Sequence, residues 1–138
     1  MSSKKFKISD DKLWYKIESE FSTNGGIYQL SCLDKNNQTI GINRIIKTDT
    51  NGIIYIGKAS SFLDRVISLK KSISPDYSSE SHDCGLRYKG SSSIKRKFPY
   101  ENLIIELKVF KDIHKAEKEL LSEYEIEFGE LPPLNRSK

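Results

Sequence analysis

In the segment KDIHKAEKELLSEYEIEF (111–128), a carboxylate falls where a helix would bury it. At about 100° per residue, Ile113, Ala116, Leu120, Leu121, Tyr124 and Phe128 cover one arc, with Glu117 near its middle. A carboxylate on a core-facing stripe is paired, protonated or bound to a cation, unless it sits at the core's edge and reaches water. Arg65 lies one turn into a second expected helix, on the flank of its apolar face; alone it reads as a surface arginine. Tyr28 and Tyr55 lie in short apolar stretches near the glycines Gly26 and Gly57, and singly each reads as a core or interface tyrosine. Convergence would change these readings. One carboxylate can hold Mg²⁺, which keeps most of its waters and accepts a phosphate oxygen as a further ligand. A fixed guanidinium stabilises the negative charge that builds in a pentavalent transition state. A phenol whose pKa is brought below its usual value of about 10 can take a proton from the attacking water. Brought together, the four residues describe phosphodiester hydrolysis.

Positioning them requires a sheet and at least two helices. A basic tail leads into a helix expected from Ser9 to about Phe21, with Ser9 as N-cap, and "TNGG" breaks it. "IYQLSCL" (27–33) reads as a strand with Tyr28, Leu30 and Cys32 on one face. "TIGINRII" (39–46) is expected to form a second strand and "IIYIG" (53–57) a third. Ser61, with Asp64 three residues on, starts a helix that places Phe62, Val66, Leu69 and Ile73 on one face. Residues 74–93, rich in Ser, Gly, Asp and Tyr, read as loop; "IKRKF" (94–98) reads as a short helix stopped by Pro99. "LIIELKVF" (103–110) is a strand, and Asp112 caps the last helix. The expected fold class is α+β: a small mixed or antiparallel sheet of three core strands plus an added hairpin strand, flanked by helices.

The chain has 138 residues, enough for one core, and no apolar run of the roughly 20 residues that cross a bilayer. No secretory signal opens it, and two cysteines are too few for a disulfide scaffold, so a cytoplasmic location is expected. Cys32, Cys84, His82 and His114 lack finger-type spacing, so no zinc site is expected. Charge is uneven: residues 58–100 carry a net +5 and residues 101–138 a net −3. The basic middle suits a polyanion, with Lys95, Arg96 and Lys97 as phosphate contacts or simply a solvated basic face. His82, in "SHDCGLRY", is a candidate for DNA contact or proton transfer, or a structural loop histidine.

Four of these positions, together with Asn135, carry a resemblance. "GGIYQL" (25–30) and "IIYIGKA" (53–59) look like the two signature motifs of the GIY-YIG nuclease family, in the right order. The family's helical arginine falls on Arg65 in "SSFLDRV", its metal-binding glutamate on Glu117 in "AEKELL", and its late asparagine on Asn135 in "PPLN". The resemblance implies a nuclease domain over 25–135, with residues 1–24 as a tail and helix packed on it. It implies a metal-dependent DNA endonuclease with a single Mg²⁺ or Mn²⁺ on Glu117. Tyr28 would act as general base, Tyr55 would support the water and the phosphate, and Arg65 would stabilise the transition state. Asn135 would hold the site together or contact the phosphate. Lys58, directly after the second motif, would depress the pKa of Tyr28, as a lysine near this position does in some restriction-type members. The two tyrosines are 27 positions apart, further than in compact members, and the insertion between them offers Asn43 and Arg44 as DNA readers. Specificity would then come from that insertion, from the 74–98 segment, from a homodimer or from a partner protein. A non-catalytic nucleic-acid-binding module on the same fold is the alternative.

Overall fold

A computed structural model describes residues 3–77 and 82–136. The fold is mixed α+β. Strands β1 (Ser3–Lys7), β2 (Gly26–Cys32), β5 (Tyr55–Ala59) and β6 (Leu103–Val109) form one sheet in the order β1-β6-β2-β5. Every pairing in it is antiparallel. Helices α1 (Leu13–Phe21), α2 (Phe62–Ile73), α3 (Asp83–Lys89), α4 (Ser92–Lys97) and α5 (Ile113–Phe128) surround it. A two-stranded ladder, β3 (Ile42–Asn43) with β4 (Thr48–Asp49), stands apart.

Alternation along the strands divides the apolar residues between two faces, as an antiparallel sheet covered on both sides requires. Tyr28, Leu30 and Cys32 of β2 and Leu103, Ile105 and Leu107 of β6 join the larger core, with Leu13, Ile17 and Phe21 of α1 and Phe62, Val66 and Leu69 of α2. Ile27 and Ile56 face the other way, onto Ala116 and Leu121 of α5. The apolar arc of α5 is therefore real, and its cap is the expected one: the Asp112 carboxylate accepts from the Lys115 N–H at 3.1 Å. Ser61 likewise caps α2 through the Asp64 N–H.

The sheet differs from expectation at its edge. The fourth strand is β1, the supposed basic tail, which pairs with β6 from Ser3↔Lys108 to Lys7↔Ile104. Its sequence, SKKFK, carries one apolar residue, Phe6, which meets Phe21 edge-on at 6.4 Å. The pairing is set by the open edge of β6 rather than by local pattern. The insertion adds no strand to this sheet: β3 and β4 are two residues each, held to α5 through Asp49, whose carboxylate accepts from the Tyr124 hydroxyl at 2.8 Å. Helix α1 starts at Leu13, not Ser9, because Asp10 closes a turn ahead of it by accepting from the Lys12 N–H. The segment read as loop contains α3, which buries Cys84, Gly85 and Tyr88; residues 78–81 of that segment lie outside the described residues. Cys32 and Cys84 are free and buried. No helix among the described residues is long and apolar enough to cross a membrane.

Candidate active site

The site lies at the β5 edge. Register sets Tyr28 opposite Gly57, and the Tyr28 phenol lies over that glycine. A Cβ at position 57 would stand 2.4 Å from Tyr28 Cζ and 2.8 Å from Tyr55 Cε2, so only glycine admits both rings. Tyr28 is fully buried, Tyr55 half-buried, and their ring centroids are 6.0 Å apart. A third ring joins them. His82, immediately before α3, is fully buried, and its Nε2 lies 2.8 Å from the Tyr28 hydroxyl. Its backbone N–H donates to Ser72 Oγ on α2, which fixes the approach of α3. His82 Nδ1 has no hydrogen-bond partner among the described residues.

Burial dominates the titration of this trio. It pushes the Tyr28 phenol well above its ordinary range; Tyr55 adds to the rise, and the Arg65 guanidinium opposes it as charge and as donor. Burial raises Tyr55 too, again against Arg65. Burial, with the Arg65 charge adding to it, lowers His82 to about 4, so the imidazole is neutral at pH 7. The cation acting on the Tyr28 phenol is thus Arg65. Lys58, expected in that role, has its ammonium 3.3 Å from Glu117 Oε1, with both side chains partly exposed.

Asn135 belongs to the frame of the site. Its Oδ1 accepts from the Ile56 N–H at 3.0 Å and its Nδ2 donates to the Ile56 carbonyl at 2.9 Å. The Leu134 N–H donates to the Ile54 carbonyl at 2.9 Å. A side-chain amide and one backbone group thereby satisfy the free edge of β5 beneath the tyrosines.

Tyr28, Tyr55, Lys58, Arg65, Glu117 and Asn135 line one cleft of about 490 Å³. Sequence reasoning missed four of its other lining residues: Asp83, Arg87, His114 and Arg136. The first two were hidden in a segment whose polar composition masked α3. His114, weighed in the sequence only as a zinc ligand, sits beside the apolar arc of α5, and Arg136 follows Asn135 directly; no pattern in the sequence marked either for this cleft. The remaining expected contacts lie elsewhere. His82 stands behind Tyr28. Arg44 is held by an ion pair to Glu130 at 2.8 Å and by donation to the Leu131 carbonyl, and its side chain is 13% exposed. Lys95, Arg96 and Lys97 are exposed on α4, outside the cleft lining.

No family model matches this chain, and no curated protein or solved structure matches it either.

Among the described residues, no group of three or more His, Cys, Asp or Glu side chains is placed to hold a metal ion. The donor set still fits a cation of the Mg²⁺ kind, which needs one protein carboxylate and takes its other ligands from water and phosphate. Glu117 meets that need: it borders the cleft and is partnered there by a partly exposed ammonium.

Proposed function

We propose that the protein is a metal-dependent DNA endonuclease of the GIY-YIG type, hydrolysing a phosphodiester in this cleft. One observation carries the reading: six residues singled out from the sequence, on β2, β5, α2, α5 and the segment after α5, share a single cleft. The family fold belongs to the same proposal, with β2, β5 and β6 as its three strands and β1 as an addition.

The chain's own groups suggest a division of labour. A phenol so deeply buried does not ionise by itself at pH 7, so Tyr28 acts as a base only by passing its proton on. Neutral His82 lies beside it: as water attacks phosphorus, the water's proton moves to the Tyr28 oxygen and the phenolic proton to His82 Nε2, a transfer that needs the bound phosphate's negative charge to offset burial and Arg65. Tyr55 orients the water and the phosphate, and Arg65 meets the charge that grows on the phosphoryl oxygens. Asn135 keeps the β5 edge in place under Tyr55. Glu117 would hold the divalent cation, Mg²⁺ or Mn²⁺, which supplies positive charge to the phosphate oxygens. Lys58 would then exchange Glu117 for the substrate.

Supercoiled plasmid incubated with the purified protein in Mg²⁺, Mn²⁺ and EDTA, beside Glu117→Ala, tests the proposal. Nicking or linearisation that needs the cation and disappears in the variant is the expected result. Intact plasmid throughout, with salt-dependent DNA binding retained, would instead mark a binding module.

A further inference from the structure

We infer that Asp83, Arg87 and Arg136 form a second phosphate-binding subsite in the cleft, in which Asp83 holds the two arginines until a phosphate flanking the scissile one takes its place. The inference rests on the DNA-hydrolase reading for the identity of the polyanion, though not on hydrolysis itself.

One carboxylate oxygen serves both cations. Asp83 Oδ2 lies 3.4 Å from Arg87 Nη2 and 3.7 Å from Arg136 Nε. Both distances exceed those of charge-assisted hydrogen bonds, so neither guanidinium forms the two-pronged pair that its geometry allows. Five N–H donors on each arginine are thus poorly used. Arg87 Nε is buried without a partner among the described residues, although its side chain reaches the cleft. Asp83 is 60% exposed, and an ion pair so exposed contributes little to the fold. A phosphate, with several acceptor oxygens in a tetrahedral array, satisfies such donors better than one shared carboxylate oxygen. Asp83 is therefore the competitor that substrate displaces, and its removal should tighten binding.

Binding of a short fluorescein-labelled DNA duplex, measured in EDTA over a range of salt, tests this with wild type, Arg87→Ala, Arg136→Ala and Asp83→Asn. Each arginine variant should bind roughly tenfold more weakly, as expected for loss of a hydrogen bond to a charged group. Each should also lose about 0.9 from the logarithmic salt slope per lost contact. Asp83→Asn should bind roughly two- to fivefold more tightly, the effect of one exposed charge. Arginine variants with wild-type affinity and slope overturn the subsite while leaving the nuclease reading intact. Weaker binding by Asp83→Asn with a lowered Tm would make Asp83 a strut and overturn the exchange. Duplex binding in EDTA with plasmid left intact in Mg²⁺ and Mn²⁺ would leave the subsite standing and remove the nuclease; no binding by wild type would remove both.

Discussion

Replacing Gly57 by alanine exchanges a hydrogen for a methyl group at the point where two tyrosines meet. The strand tolerates alanine, since the backbone there is ordinary extended chain, so the effect must come from the rings. The new Cβ would lie 2.4 Å from Tyr28 Cζ, 2.5 Å from its hydroxyl oxygen and 2.8 Å from Tyr55 Cε2. Carbon–carbon contacts are comfortable at about 3.5–4.0 Å, so the Tyr28 phenol must retreat by on the order of 1 Å. It is fully buried, and retreat forces repacking, which costs about 1–3 kcal/mol when a methyl is added to a filled core. For a chain of this length, that lowers Tm by roughly 3–10 °C. The Tyr28–His82 hydrogen bond, 2.8 Å at rest, is broken by the same displacement. A reacting group misplaced by about 1 Å costs around a hundredfold in rate. Plasmid nicking in Mg²⁺ and a thermal melt, run on the same preparation, should therefore both fall. Near wild-type nicking with an unchanged melt would refute the claim that the phenol's place over Gly57 is what the site depends on.

Arg65→Ala should lower the cleavage rate by about 10²–10³, as for loss of one transition-state donor, while DNA still binds; single-turnover cleavage measures it. His82, held near 4, takes up a proton more readily when the chain is unfolded, so stability should fall as pH drops from about 6.5 towards 4. The contribution is at most about 3 kcal/mol, and urea melts of wild type against His82→Gln across that window should show a flatter slope in the variant. Asn135→Ala strips both hydrogen bonds from the Ile56 backbone and should destabilise by about 1–3 kcal/mol, read by chemical denaturation, with slower cleavage.

How much of this was legible in the sequence depended on whether local pattern or distant pairing decided each element. Helix α5 declared itself through an arc of apolar side chains and a capping aspartate, and so placed Glu117. Helix α2 did the same for Arg65. Strand β1 could not be read, because its partner lies about a hundred positions away and its own residues are mostly lysine. Helix α3 was hidden for a related reason: Cys84, Gly85 and Tyr88 are buried by what packs on them, in a segment of otherwise loop-like composition. The cleft inherited both outcomes. Residues on self-evident elements were found, and Asp83 and Arg87 were not. Arg44 illustrates the opposite case, a cation that sequence left free and Glu130 holds.

The outermost place of β1 has a consequence for the order in which the molecule is made. Its partner, residues 104–108, emerges about a hundred residues later, on the order of 5–20 s at ordinary rates of synthesis. During that interval the lysines of SKKFK keep a lone strand from pairing with a stranger. The β2–β5 pair can close meanwhile, setting Tyr28 over Gly57, whereas Glu117 and Asn135 follow later than β6 itself. A nascent chain thus carries its aromatic trio well before its carboxylate, and the cleft is completed only once residues 117–135 have emerged.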